Sequence, residues 1–166
     1  MQTAHRNGFT LVEVIIVVSI ISLLTAGLIP SFSNYTKSQT LKQAQEQIVS
    51  DLANVQNRAL AGEQGEGVTG TKYWGIRFTD GSATYQYFAH TTATCPSLGT
   101  PQIQRSQTLT GEVEIDISGT GCVFFSTANG DATGLLSINV KESGSSTCRK
   151  INVNSAGLIT KATTCP

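Results

Sequence analysis

The feature that most limits what this chain can become is a stretch without charge. Between Glu13 and Lys37 lie 23 residues with no Asp, Glu, Lys or Arg, and residues 14–29 are mostly Val, Ile, Leu, Ser and Ala. A helix over residues 9–30 would be roughly 33 Å long at 1.5 Å rise per residue, about one hydrocarbon core. The pattern therefore predicts a membrane-spanning helix. No A-x-A cleavage site follows Ala26, so the run is read as retained and not discarded like a secretory signal. The polar leader MQTAHRNG precedes it, and Arg6, with His5 when protonated, keeps the N-terminus cytoplasmic and the remainder outside.

Glu13 is the one carboxylate in this apolar layer. A charged residue costs about 2.5–3.5 kcal/mol at the centre of a membrane helix and less near the interface, so it either snorkels to the headgroups or has a partner. Snorkelling is one reading of Glu13. The other requires a cation at the same depth, and a cut between Gly8 and Phe9 would create one. The freed amine would stand four residues before Glu13 and could pair with the Glu13 of a neighbouring copy in a low-dielectric helix bundle.

The run G-F-T-L-V-E, from Gly8 to Glu13, closely resembles the prepilin signature of type IV pilins and type II secretion pseudopilins. The resemblance implies that a prepilin peptidase cuts between Gly8 and Phe9 and methylates the new N-terminal Phe9. It further implies that Glu13 guides subunit docking, and that Pro30 falls where many members kink or locally melt the helix. The partners implied are other pilin or pseudopilin subunits, the peptidase, an inner-membrane assembly platform and the lipid bilayer. The implied location is a single pass of the inner membrane with an extracytoplasmic domain, then a pilus or periplasmic pseudopilus. No cofactor is implied. The signature covers only about the first 30 residues, and pili, secretion pseudopili and competence systems share it.

Beyond the apolar run the period changes. Leu41, Ala44, Ile48, Leu52, Val55 and Ala59 recur at steps of three and four, while Lys37, Lys42, Gln45, Glu46, Asp51 and Arg58 occupy the other faces. This is the stripe of a helix lying on a core. Pro30 interrupts the helical pattern between the two halves, either as a bend near residues 28–29 or as the start of a second helix. Residues 62–71, GEQGEGVTGT, read as a loop. Then the period becomes two: KYWGIRF, an Asp80-Gly81 turn and ATYQYFA form a hairpin, and Val113, Ile115 and Ile117 alternate with Glu112, Glu114 and Asp116. CVFFS, LLSINV, CRKINVN and LIT bring the expectation to six or seven strands. Residues 91–104 and 143–147 read as surface loops.

All four cysteines, Cys95, Cys122, Cys148 and Cys165, lie beyond the apolar run. An even number in an exported domain reads as two disulfides, for which three connectivities exist. The preferred pairing is Cys95–Cys122 with Cys148–Cys165, because the second pair would close a C-terminal hairpin. Metal binding is the competing use, but no gap resembles CxxC and the only histidine on the exported side is His90.

No nucleophile elbow, HExxH motif or phosphate loop occurs, so an enzyme is not expected. The acidic residues 112, 114 and 116 read as the wet face of a strand, and Asn129-Gly130-Asp131 as a turn. The chain has 11 basic and 11 acidic residues, and loss of Arg6 with the leader would leave 10 against 11. That balance argues against a polybasic nucleic-acid surface. Arg149, Lys150 and Lys161 are nevertheless the candidate DNA contacts on the C-terminal hairpin.

The expected fold class is α+β, one long N-terminal helix packed on an antiparallel β-sheet domain, as in the pilin fold. The expected divisions are a leader at 1–8, a transmembrane and assembly helix at 9–30, an amphipathic half at 31–61 and a β-rich exported domain at 62–166. The texture of IVSDLANVQNRALAGEQ, YWGIRF and YQYFA is similar to the H-type minor pseudopilin and FimT-like minor pilins. The expected function is a structural subunit of a type IV pilus or type II secretion pseudopilus. The alternative is a minor tip subunit whose β domain binds DNA or a surface ligand.

Overall fold

The computed structural model describes residues 9–100, 102–145, 147–163 and 165, with the side chains of 26–31 excepted. One helix, α1 (Leu11–Leu60), carries both the apolar run and the amphipathic stripe. It opens at Thr10, whose Oγ1 accepts the Glu13 amide at 3.2 Å, the N-cap bond that satisfies a first-turn donor. It closes on Gly62 at φ 65°, where Glu63 N–H donates to Arg58 O and Gly62 N–H to Ala59 O. That pair of bonds is a Schellman closure, and glycine adopts the left-handed cap without strain.

The helix is continuous through Pro30, so no second helix starts there. The physical reason is that proline's fixed φ is itself helical and its cost is confined to one hydrogen bond and one steric contact.

The chain divides into two units, Met1–Ser38 and Gln39–Pro166. In the first, the described apolar side chains of α1 are exposed. The second contains the rest of α1 and two antiparallel sheets. The five-stranded sheet comprises β1 (Tyr73–Thr79), β2 (Thr84–His90), β3 (Ile103–Thr108), β5 (Thr120–Ser126) and β6 (Ala132–Gly134), ordered β3-β2-β1-β5-β6. The four-stranded sheet is β4 (Val113–Asp116), β7 (Ser137–Glu142), β8 (Cys148–Val153) and β9 (Ile159–Ala162), ordered β4-β7-β8-β9. The architecture is α+β.

Both sheets share one core with the helix. Leu41, Ala44, Ile48, Leu52, Val55 and Ala59 are buried together with Trp74, Ile76, Phe78 and Tyr85 of one sheet and Ile138, Val140, Ile151 and Val153 of the other. At roughly 1.5–3 kcal/mol for each large apolar side chain removed from water, this stripe is what makes residues 39–60 part of the domain. A smaller cluster of Phe88, Cys122 and Phe124, with Tyr73 and Ile103 against it, lies apart from that core. Gly75 belongs there by necessity, since a Cβ would collide with the Phe88 ring and the Val123 carbonyl.

Nine strands are present among the described residues, against six or seven expected. The two missed are β3 and β6. The first, IQRSQT, is polar on both faces and starts within the segment read as loop, and the second is only three residues long. Neither carries the alternation that marks a half-buried strand.

Candidate processing and assembly site

Phe9 is 84% exposed, and Leu11, Val12, Val14, Ile15 and Ile16 behind it are all more than half exposed. Gly8 lies outside the described residues, as do the rest of the leader and the side chain of Pro30. Glu13 stands in the first turn of α1. A carboxylate there lies against the positive end of the helix dipole, a favourable site even before any partner is considered. The T-x-x-E spacing of Thr10 and Glu13 is that of a capping box, a signal readable in the sequence that the argument from membrane insertion overlooked.

Farther along the run, each hydroxyl is satisfied by the helix itself. Ser19 donates to Ile15 O and Ser22 to Val18 O, both at 2.8 Å, and Thr25 donates to Ile21 O at 2.6 Å. Polar atoms paired in this way enter an apolar medium without an unmade hydrogen bond. The outward surface is then hydrocarbon. Among the described residues no helix is long and apolar enough to cross a membrane. The described side chains of the run, residues 11–25, cover roughly 22 Å of helix. Residues 26–29, which complete the run in the sequence, lie outside the described side chains.

The cysteines are joined as Cys95–Cys122 and Cys148–Cys165, with Cα atoms 5.7 and 5.9 Å apart. The first bond ties the segment after β2 to β5. The second ties the start of β8 to the chain end beyond β9, closing the hairpin whose strands pair from Lys150↔Ala162 to Val153↔Ile159. The turn of that hairpin needs Gly157, at φ 78°, because a Cβ would strike Gln56 Nε2 and the Gly130 carbonyl. Among the described residues no group of three His, Cys, Asp or Glu is placed to hold a metal ion.

The three candidate DNA contacts do not form one patch. Lys161 Nζ is bound by both Glu46 carboxylate oxygens at 2.7 and 2.9 Å. That hydrogen bond, above all, holds the Glu46 carboxyl below the ordinary carboxylate range. Arg149 and Lys150 are consecutive on β8, so strand alternation sends them to opposite faces. The acidic triple 112, 114 and 116 is likewise not bare. Lys141 bridges Asp116 at 3.0 Å and Glu114 at 3.6 Å, and the bond to Asp116 raises the Lys141 pKa.

Residues 3–29 match the family described as the prokaryotic N-terminal methylation motif. That motif is the prepilin-type signal of type IV pilins and pseudopilins, and the chain carries it over the leader and the apolar run. No curated protein and no solved structure matches the chain.

Proposed function

We propose that this chain is a structural subunit of a type IV pilus or a type II secretion pseudopilus. In this reading a prepilin peptidase cuts it between Gly8 and Phe9 and methylates Phe9, the apolar half of α1 holds it in the inner membrane, and the same half then polymerises against its copies. The observation that carries the reading is the methylation motif at 3–29, continuous with a helix whose apolar side chains have no cover of their own. Such a surface is stable only in lipid or against other helices, and a filament built from those helices supplies both in succession. The extracytoplasmic setting of the domain is supported by two disulfides, which persist in oxidising compartments. Catalysis has no part in this proposal.

Glu13 serves assembly in this reading. The amine freed at Phe9 in one copy meets the Glu13 carboxylate of the next, and in a helix bundle each neutralises an ion that would otherwise cost several kcal/mol.

Intact-mass measurement of the native protein tests the first step. The expected mass lacks residues 1–8 and carries one added methyl group, and Gly8→Leu leaves the full-length precursor in the membrane. Native protein that still begins at Met1 would overturn the proposal.

A further inference from the structure

A polar cavity of about 320 Å³ lies where the end of α1 faces β1, β2 and β3. Its roof is the glycine-rich loop after α1, and that loop is fixed on several sides. Arg58 Nη1 pairs with Glu63 Oε1 at 3.0 Å, and Trp74 Nε1 donates to Glu63 O at 2.7 Å. Gln104 of β3 accepts the Glu66 amide at 2.6 Å and returns its Nε2 to Glu66 O at 3.0 Å. Gly65 is pressed so closely to the sheet that a Cβ would run into Ala89. The loop is therefore held across the strands as a built wall.

The charges of this cavity divide into used and unused. The Arg58 guanidinium is paired with Glu63 and stands 5.3 Å from the Trp74 ring centre. The Asp51 carboxylate beneath is engaged by the hydroxyls of Tyr85 and Tyr87. Two opposite charges remain on the wall, the Glu66 carboxylate and the Arg105 guanidinium. Neither side chain has a hydrogen bond or ion pair among the described residues, and they are not paired with each other. Both line the same cavity, Glu66 from the loop and Arg105 from β3.

We propose that this cavity binds a small zwitterion, a free amino acid or short peptide, with its carboxylate on Arg105 and its ammonium on Glu66. Arginine's planar fork suits a carboxylate bidentately, and a carboxylate accepts an ammonium through charge-assisted bonds. A ligand carrying both poles satisfies two wall charges that a simple anion or cation would satisfy only by half. The fixed loop means that little ordering accompanies binding, which favours affinity. Arg58 of α1, Arg105 of β3 and Tyr87 of β2 all line this cavity.

Trp74 is the only tryptophan in the chain and lines the cavity, so its fluorescence reads occupancy. The experiment titrates the full chain, in detergent micelles, with L-alanine and with glycylglycine. Sodium acetate and ethylammonium chloride at equal ionic strength are the controls. The expected result is a saturable change with at least one zwitterion and none with either control. Arg105→Gln and Glu66→Gln each weaken it by roughly tenfold, the loss of one charge-assisted pair, while thermal unfolding is unchanged because both residues are exposed. Absence of saturation with both zwitterions overturns the proposal. So does an equal response to acetate alone, or binding that survives both substitutions.

Discussion

The two halves of α1 are made of one continuous helix, yet they solve opposite problems. In residues 11–25 apolar side chains occupy every face, and the few hydroxyls are turned back onto carbonyls four residues earlier. In residues 39–60 the apolar residues keep to one stripe, and polar side chains reach out to other elements. Gln45 Nε2 donates to Lys150 O and Ala162 O, and Gln56 Nε2 to Gly157 O. The first half has settled its hydroxyls internally and left its hydrocarbon open. The second has covered its hydrocarbon with its own domain. A helix of the first kind is complete only in another medium or against other chains, whereas the second needs nothing beyond its own chain.

The largest expected effect tests the first half. Glu13→Val leaves membrane insertion intact or improved, because one fewer charge enters the apolar layer. It abolishes or severely reduces the protein recovered in sheared filaments, because the neighbouring Phe9 amine loses its counter-charge. Coexpression with wild type gives partial rescue if the pairing runs between chains. Normal filament yield from the mutant expressed alone would reduce Glu13 to its role as a first-turn acid.

The corresponding change in the second half is Leu52→Ala, at a side chain with no exposed surface. A cost of about 2–5 kcal/mol is expected from lost burial plus the cavity left behind, read by denaturant unfolding of the domain. Cleavage at Gly8 should proceed normally in this variant, since it reads only the leader and the apolar run. Defective processing would show that the halves are not separable in the way described.

A smaller effect attaches to Gln45→Ala, which strips a donor from two carbonyls on adjacent strands. The part-buried acceptors then cost about 1 kcal/mol, measured as a lower unfolding midpoint. An unchanged midpoint would mean that the apolar stripe alone joins helix and sheet.

The smallest effect is a pH dependence. Burial, and next the bond to Asp51, raise the Tyr85 pKa above its ordinary 10.0. The folded domain therefore favours the neutral phenol. Its contribution is fully present below pH 10 and is lost as pH climbs above that value. A falling unfolding temperature between about pH 10 and 11, flattened in Tyr85→Phe, is the expected observation.

Much of this contrast was legible in the sequence, because it rests on spacing. All six stripe residues are buried as their period requires, and the Asp80-Gly81 turn joins β1 to β2. The chosen disulfide pairing is the one present. What escaped reading depends on partners far along the chain. β3 is a strand because β2 offers it a ladder from Thr84↔Thr108 to Phe88↔Ile103, and its own residues show no sidedness. Gln45 looked like a surface residue beside Glu46, but its neighbour is a pair of carbonyls more than a hundred positions away. The cavity wall was hidden for the same reason, since a glycine-rich loop announces a turn and says nothing of what Gln104 will do with it. Thr10 is a different case, its capping spacing being local and visible.

The bond from Gln45 to Ala162 spans 117 positions, and β9 is the last strand among the described residues. A chain synthesised from its N-terminus onward presents the apolar stripe of residues 41–59 before β8 and β9 exist to cover it. The core around that stripe is complete only once β8 is in place. Strand β9 acts as a latch on the helix, through the Gln45 bond to Ala162.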